Sequence, residues 1–223
     1  MYRVSFLFIL LCIATPIAFA QDPVKVDSNH YSVLLENEKV RVLKIKYNPK
    51  ERSVMHEHPD AVAVFITASH VRFTMPDGTA TPDTGKAGEV RFTPAGKHLP
   101  ENTGDRPFEV VLVELKGKPA MTAKPMALDP VKVDPGHHKV EFENDRVRVL
   151  RINFKPHDKV KEHEHPDGVA IFLTDIQTKF TLADGKTREG GGKRGEATWA
   201  AAERHSLENL GDKAAEVILI ELK

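Results

Sequence analysis

The chain has 223 residues, of which 40% are apolar, and its formal net charge is zero. This composition is that of an ordinary globular protein with one large or two small domains. Because the sequence has neither a basic excess nor a block of like charge, it argues against a nucleic-acid-binding protein.

The first twenty residues differ from the rest of the chain. A positive charge at Arg3 precedes an apolar run, and Ala18 and Ala20 form a small-residue cleavage pattern. We expect residues 1–20 to be a signal peptide cleaved before Gln21, rather than an uncleaved anchor, because the apolar run is short for a bilayer span. The mature protein would then be periplasmic or secreted and would keep no membrane segment.

The chain contains one cysteine, Cys12, and it lies in this leading segment. The mature chain therefore has no cysteine for a disulfide or a thiolate metal site. Any metal ion must be held by His, Asp or Glu.

The remaining sequence is a tandem duplication. At an offset of 107 residues, "DPVKVD" at Asp22 recurs at Asp129, and the match continues without gaps to the end of the chain. Each copy has the size of a small domain. We expect a first domain over residues 21–116, a linker over 117–128 and a second domain over 129–223.

Within each copy the apolar residues alternate with polar ones, as in β-strands. In "RVLKIKY", Leu43, Ile45 and Tyr47 share one face of the strand. The Asp-Gly pairs at Gly78 and Gly185 are typical of hairpin turns. Frequent short strands and turns predict an all-β sandwich or barrel.

The apolar runs "AVAVFIT" and "VVLVEL" are hydrophobic on both faces. Their outer faces therefore need a cover, which is either the other repeat or a second subunit. The first arrangement makes each chain a pseudo-dimer, and the second predicts a homodimer.

Each copy resembles a cupin domain, and the whole mature chain resembles a bicupin, which implies two tandem jelly-roll β-barrels. The resemblance rests on a His-x-His pair and on a later motif, "GEVRFTPAGKHLPEN" in the first copy and "GEATWAAAERHSLEN" in the second. The matching residues are His56, His58, Gly88, Pro94, Gly96, His98 and Asn102, and then His163, His165, Gly195, His205 and Asn209.

The spacing of the histidines supports a metal site without reference to the family. Alternate residues of a strand point to one face, so His56 and His58 present two imidazoles to the same side. A third imidazole from a neighbouring strand, His98, would complete a set with open positions for water, oxygen or substrate. In the second copy the equivalent set is His163, His165 and His205. The ligand type fits a divalent transition metal and does not choose among Fe, Zn, Mn, Cu and Ni.

Two departures from the family pattern bear on this site. The position of the cupin glutamate ligand is occupied by Val62 or Ala63, and in the second copy by Val169 or Ala170. A site of three histidines would leave the ion its full double charge and would favour anionic ligands. The second copy also lacks the Pro-x-Gly turn, and for this reason the first copy is the favoured site.

Two glutamates, Glu101 and Glu208, follow the third histidines by three residues. We do not expect them to replace the missing ligand, because residues three apart face opposite sides of a strand.

The remaining histidines and two large aromatic residues have simpler interpretations. We interpret His30 and His137, which recur in both copies, as surface or inter-repeat residues. For the histidines without a histidine counterpart, which are His70, His138 and His157, the surface is the default. Phe92 and Trp199 are expected to pack in the core rather than to stack on a substrate.

The sequence leaves three functions open. The first is a metal-dependent oxygenase or related lyase or isomerase acting on a small oxygen-bearing compound, held on a face lined by Phe73 and Phe92. The second is an exported module that binds a small molecule or a metal without turnover. The third is an interaction protein that assembles through its apolar strands. All three functions stay open because the fold alone does not choose among them.

Overall fold

A computed structural model describes residues 21–117 and 126–223, and each repeat in it folds into nine strands and one short helix. The elements of the first repeat are α1 (Pro23–Val26), β1 (Tyr31–Glu36), β2 (Val40–Tyr47), β3 (His56–His58), β4 (Ala61–Phe65), β5 (Ser69–Thr74), β6 (Ala80–Gly85), β7 (Val90–Thr93), β8 (Gly96–Asn102) and β9 (Phe108–Leu115). Those of the second are α2 (Pro130–Val133), β10 (His138–Glu143), β11 (Val147–Phe154), β12 (Lys159–His165), β13 (Gly168–Phe172), β14 (Ile176–Leu182), β15 (Thr187–Gly192), β16 (Ala197–Ala200), β17 (Glu203–Asn209) and β18 (Ala215–Leu222).

The strands of each repeat form a five-stranded and a four-stranded antiparallel sheet. In the first repeat the orders are β1-β2-β9-β4-β7 and β3-β8-β5-β6. In the second they are β10-β11-β18-β13-β16 and β12-β17-β14-β15. The two sheets of a repeat enclose an apolar interior to which both contribute side chains.

The predicted hairpin turns are present in both repeats. Gly78 has φ +84° and Gly185 has φ +82°, values that favour glycine. The Asp77 carboxylate accepts a hydrogen bond from the Thr79 amide at 2.8 Å and stabilises the first turn. The turns join β5 to β6 and β14 to β15, so that these hairpins form the outer edge of the four-stranded sheets.

The five-stranded sheet of each repeat is apolar on both faces. On β2, Leu43 and Tyr47 point into the interior of the first repeat, whereas Val40 and Val42 point out of it. The outward residues are completely buried, because they pack against their equivalents in the second repeat, such as Val147. The two repeats therefore share one hydrophobic core in addition to their own interiors.

Ion pairs at the margin of this shared core relate the two repeats symmetrically. Lys39 contacts Asp167 at 2.5 Å, and the equivalent residues of the opposite repeats, Arg146 and Asp60, are 3.0 Å apart. Each repeat thus contributes the same surface to the contact, as the subunits of a twofold dimer do.

The prediction of an all-β chain with two tandem barrels is confirmed, and the other repeat is the cover of the double-sided strands. The predicted signal peptide, residues 1–20, and residues 118–125 of the predicted linker lie outside the described residues. Within residues 21–117 and 126–223, no helix has the length and apolar character needed to cross a membrane.

Candidate metal centres

Three histidines of the first repeat lie together at the end of its interior. His56 and His58 occupy alternate positions of β3, and His56 is directly opposite His98 on β8. The ring centroid of His98 is 5.1 Å from that of His56 and 5.0 Å from that of His58. His56 and His58 are buried, and His98 is partly exposed. The spacing of the sequence motif thus brings the three predicted residues to one place.

The second repeat gathers its three predicted histidines in the same way. His163 on β12 is opposite His205 on β17. The His205 ring is 4.8 Å from the His163 ring and 5.1 Å from the His165 ring, while the rings of His163 and His165 are 6.5 Å apart. All three side chains are buried.

The four histidines of the His-x-His pairs have their ring orientation fixed by main-chain carbonyl groups. A carbonyl oxygen only accepts hydrogen bonds, so the Nδ1 atom of each ring must donate, and Nε2 keeps its lone pair. The bonds run from His56 to Val54 at 2.9 Å, and at 2.8 Å from His58 to Pro59, from His163 to Lys161 and from His165 to Pro166. This is the arrangement found behind metal-bound histidines, in which the second nitrogen is held by an outer partner.

The third histidines of the two clusters differ in their surroundings. The Nδ1 atom of His205 is 2.8 Å from the carboxylate of Glu203, which also accepts a hydrogen bond from Arg188 at 2.8 Å. In the first repeat Gly96 stands at the position equivalent to Glu203, so that His98 has no carboxylate there. The second cluster therefore includes a carboxylate that the sequence comparison did not single out.

Burial favours the neutral form of four of the six clustered histidines. Burial, together with the charges of His58 and His56, lowers the pKa of His98 to about 3. Burial lowers the pKa of His205 to about 4, although the hydrogen bond with Glu203 acts in the opposite direction. Burial also lowers the pKa values of His56 and His163. Neutral imidazole is the form that binds metals.

The predicted absence of a motif glutamate has a structural counterpart. Val62 and Val169 point into the shared core, whereas Ala63 and Ala170 face the interiors of their own repeats. Glu101 pairs with the exposed Arg72 at 2.7 Å, which agrees with its predicted position outside the cluster. The equivalent Glu208 is likewise engaged outside the second cluster, 3.7 Å from Lys159.

Each cluster borders a cavity in the interior of its repeat. The first cavity has a volume of about 150 Å³, and Tyr47, Phe73 and Phe108 are among its walls. The second has a volume of about 340 Å³ and is lined by Phe180, Arg188 and Glu203 among others. Among the described residues, no group of three or more His, Cys, Asp or Glu side chains is placed so that it could hold a metal ion as it stands. The three rings of each cluster are neighbours and would have to close around an ion.

His138 is buried, so the prediction of a surface position was wrong. Its exposed fraction is 2%, and its ring centroid is 4.9 Å from that of His163. Burial, together with the charge of His163, lowers its pKa to about 4. The comparison of the repeats missed this residue because its counterpart is Tyr31. The alternation of His138, Val140 and Phe142 along β10 was the signal that could have found it.

His30 and His137 were predicted to lie at the surface or between the repeats, and this prediction was wrong. Both lie within their own repeats and are largely shielded from solvent. His30 stacks on Tyr47 with ring centroids 4.2 Å apart, and its nitrogens contact Asp27 at 2.7 Å and Glu51 at 3.2 Å. His137 makes the equivalent contacts with carboxylates of the second repeat. Both stabilise the end of the barrel and do not join the clusters.

The other predicted positions are as expected, with one exception. His70 and His157 are exposed. Phe92 and Trp199 pack against the shared core, as predicted, although Trp199 also borders the second cavity. For the same reason Phe92 does not line a substrate face, whereas Phe73 does, since its ring is 4.7 Å from that of His98.

Comparison with known proteins supports the fold. No protein-family model matches the chain, and no curated protein matches it significantly. Among solved structures, an oxalate decarboxylase has a TM-score of 0.60 and 14% identity over 86% of this chain and 72% of that chain. AerE from Microcystis aeruginosa has a TM-score of 0.64 and 10% identity over 87% of this chain and 93% of that chain.

A Bacillus subtilis oxalate decarboxylase studied for its Mn(II) centres has a TM-score of 0.56 and 14% identity over 86% of this chain and 75% of that chain. At these identities the likeness concerns the fold. The two repeats thus have the architecture of tandem cupin barrels, as the sequence motifs predict.

Proposed function

We propose that this chain, which has the bicupin fold, binds a divalent transition metal at the three-histidine cluster of one or both barrels and takes a small oxygen-bearing compound beside it. The observation that carries the proposal is the fixed ring orientation of His56, His58, His163 and His165. Their Nδ1 atoms donate to carbonyl groups, so their Nε2 atoms are left with lone pairs in buried surroundings.

The donor set fits a divalent transition metal. Neutral imidazole suits Fe, Zn, Mn, Cu and Ni, and the solved oxalate decarboxylase named for Mn(II) centres adds support for Mn. When two imidazoles bind one ion at about 2.1 Å, their ring centroids lie about 4.5 to 5.5 Å apart at right and tetrahedral angles, and about 6.5 Å apart on opposite sides of the ion. The separations of 5.0 and 5.1 Å around His98, and of 4.8 and 5.1 Å around His205, fall in the first range. The 6.5 Å between His163 and His165 corresponds to opposite sides.

The bound compound is expected to be anionic. With no carboxylate at Val62 or Ala63, an ion held by three neutral ligands keeps its double charge and attracts a carboxylate or enolate oxygen. In the second barrel Arg188 adds a cation at the cavity, 3.9 Å from the centre of the Phe180 ring. The guanidinium group can orient a carboxylate, while the aromatic walls exclude water.

An enzyme of this kind would be a metal-dependent oxygenase or a related lyase or isomerase. A metal ion at the histidines would supply Lewis-acid or redox chemistry. The chain itself would bind and orient the substrate through Arg188 and the apolar walls, and Glu203 would hold the proton on His205 Nδ1.

The alternative is a module that binds a metal or a small molecule without turnover. The charged residues of both cavities favour it, because they are already paired with each other: Asp83 with Arg91 at 2.9 Å in the first barrel, and Glu203 with Arg188 at 2.8 Å in the second. Burial raises the pKa of Tyr47 well above its usual value, so its hydroxyl stays protonated and is no base.

We further propose that the protein acts in the periplasm or outside the cell. The proposal rests on the signal-peptide pattern of residues 1–20. Expression of the full chain in a bacterium should yield a mature protein that begins at Gln21, as determined by N-terminal sequencing. A product that retains residues 1–20 in the cytoplasmic fraction would contradict export.

Metal content is the decisive measurement for the proposed function. Protein purified without an affinity tag should contain at least one equivalent of a transition metal by mass spectrometry. The double variant His56→Ala/His98→Ala should lose the metal of the first barrel, and His163→Ala/His205→Ala that of the second. Substitution of the exposed His70 is the matched control and should change nothing. Metal-free protein that does not bind added Fe, Mn, Zn, Cu or Ni would overturn the proposal.

A second measurement separates the enzyme from the binding module. Oxygen consumption and product formation are followed with a panel of small carboxylate and diketone compounds, using metal-loaded protein. Turnover that disappears in the histidine variants supports the enzyme. Binding of a compound without turnover supports the module.

A further inference from the structure

His138 has a ring nitrogen that nothing described in the structure uses. Its Nδ1 atom is 3.1 Å from the carbonyl oxygen of Asp134 and therefore donates to it. Its Nε2 atom is buried and has no hydrogen-bond partner among the described residues. Because 98% of the residue is hidden from solvent, this lone pair also lacks water, which is a costly condition for a polar atom.

The ring of His138 lies beside one member of the second cluster, His163. His138 is opposite Ile152, a residue that lines the second cavity. Its ring centroid is 4.9 Å from that of His163, close to the 4.8 Å between His163 and His205. Its Nδ1 bond to a carbonyl oxygen matches the bond that fixes the His163 ring. Its separation from His163 and the carbonyl bond of its Nδ1 atom are thus those expected of a further imidazole ligand.

The equivalent residue of the first barrel is built differently. Tyr31 also packs beside the cluster, with its ring 4.9 Å from that of His56. Its hydroxyl, however, is satisfied by the hydroxyl of Tyr47 at 2.8 Å. In the second barrel Phe154 replaces Tyr47, and Val160 replaces Ser53, whose hydroxyl bonds to Asp27 in the first. The second barrel therefore lacks the polar side chains that would otherwise engage residue 138.

We propose that His138 is a fourth ligand, so that the second barrel holds a four-histidine metal centre made by His138, His163, His165 and His205, while the first barrel holds three. This inference rests on the proposed metal-binding function. It reverses the preference for the first barrel that its more complete sequence motif suggests. The two centres differ in ligand number, and four imidazoles favour Cu²⁺, Ni²⁺ or Zn²⁺ more strongly than three do.

The test isolates the second barrel within the complete mature chain. Protein beginning at Gln21 with His56→Ala and His98→Ala is titrated with Cu²⁺ alone, and its electron paramagnetic resonance spectrum is compared between ¹⁴N and ¹⁵N histidine labelling. Four coordinating imidazole nitrogens are expected. Adding His138→Phe should leave three nitrogens and weaken Cu²⁺ binding by about tenfold or more, since loss of even an outer partner of a ligand costs about tenfold.

The first barrel provides the matched control. In a His163→Ala/His205→Ala background, Tyr31→Phe should leave the Cu²⁺ affinity within about twofold, because Tyr31 is bonded to Tyr47 and is not a ligand. If His138→Phe does not fold, as judged by its circular dichroism, the number of nitrogens that bind Cu²⁺ in the parent His56→Ala/His98→Ala protein still decides whether His138 is a ligand. Three nitrogens in that parent, or an unchanged Cu²⁺ affinity in His138→Phe, would overturn the proposal that His138 is a ligand and leave the three-histidine centre standing. No Cu²⁺ binding in the parent would overturn the metal centre of the second barrel as well.

Discussion

Glu203 distinguishes the third histidine of the second barrel from that of the first. Its carboxylate accepts the Nδ1 proton of His205 at 2.8 Å, and this bond raises the electron density at Nε2. Glu203→Gln keeps the size of the side chain and removes its charge. We expect Glu203→Gln to weaken metal binding at the second barrel by about 10- to 100-fold. Equilibrium dialysis against a competing chelator measures the effect.

The control for this prediction is Glu101→Gln in the first barrel, because Glu101 pairs with Arg72 away from the histidines. Its substitution should not change the affinity of either site. Equal metal affinities in Glu203→Gln and the parent protein would show that Glu203 has no role in holding His205.

The buried histidines make the metal-free protein sensitive to acid. Burial lowers the pKa of His98 to about 3 and that of His205 to about 4, whereas both titrate near 6.5 when unfolded. Between about pH 4 and 6.5 the unfolded chain therefore binds protons that the folded chain does not. We expect the free energy of unfolding to be constant above about pH 6.5 and to fall as the pH drops toward 4, each histidine contributing about 1.4 kcal/mol per pH unit.

Urea unfolding at several pH values, with a chelator present, measures the slope of the free energy of unfolding against pH. His98→Gln removes one titrating group, so its slope between pH 4.5 and 6 should be shallower by about 1.4 kcal/mol per unit. The exposed His70→Gln should keep the slope of the parent. An identical slope in His98→Gln would mean that His98 is protonated in the folded state.

The sequence predicts the six clustered histidines, because period-two spacing and duplication both identify them. It does not predict His138 or Glu203, because a comparison of repeats finds what they share, and these two residues are where the repeats differ. The direction of Phe92 is also not fixed by alternation alone. When both faces of a strand are buried, as on β4, or half-buried, as on β7, the pattern does not tell the barrel interior from the shared core.

At the scale of elements, Arg148 joins a helix and two strands of the second barrel. It lies on β11, contacts Glu221 on β18 at 2.5 Å, and reaches Asp129, the residue that caps α2, at 2.9 Å. Glu221 is 1% exposed, and its Oε1 atom has no hydrogen-bond partner among the described residues. The guanidinium group therefore offsets much of the cost of burying this carboxylate.

Removing only Arg148 from its ion pair with Glu221 should lower the free energy of unfolding far more than replacing both residues. Arg148→Met leaves Glu221 buried without its cation and should lower the free energy of unfolding by about 3–5 kcal/mol. Adding Glu221→Leu should restore most of this loss, since an apolar pair suits a buried position. Denaturant unfolding measures both variants. Arg41 and Glu114, which are also 2.5 Å apart, allow the same comparison in the first barrel. A double variant no more stable than Arg148→Met would contradict this account.

The strands themselves are predictable, and their arrangement in sheets is less so. Alternation of apolar residues and the Asp-Gly turns identify strands such as β2 and the hairpins at Gly78 and Gly185. The pairing of β4 with the distant β9 joins residues far apart in sequence. Such long-range pairing follows from the cupin resemblance and not from local pattern.

At the scale of the whole molecule, the shared core makes the two barrels interdependent. Val62 and Val113 of the first repeat and Val169 and Ile220 of the second are completely buried in one cluster. The double-sided apolar strands already required a cover, but the sequence allowed either the other repeat or another chain. The close match of Lys39–Asp167 and Arg146–Asp60 shows why the other repeat serves, since each supplies complementary charges at the margin.

If the barrels depend on each other in this way, damage to one interior should destabilise the other. Leu150 is completely buried in the interior of the second barrel, and its equivalent in the first is Leu43. Leu150→Ala should lower the free energy of unfolding by about 2–5 kcal/mol. Protein beginning at Gln21 has its two tyrosines, Tyr31 and Tyr47, in the interior of the first barrel. Their near-ultraviolet circular dichroism therefore reports on that barrel when it is measured in a Trp199→Phe background, which removes the overlapping indole signal of the second barrel.

We expect Leu150→Ala to shift the urea midpoint of the tyrosine signal as far as it shifts the far-ultraviolet signal of the whole chain. The physical reason is that unfolding of the second barrel would expose the shared core of the first, so the two unfold as one cooperative unit. Leu43→Ala is the matched variant and should shift both signals equally, whereas Val33→Ala on the surface should shift neither. A tyrosine midpoint that stays constant in Leu150→Ala would show that the barrels unfold independently despite their common core.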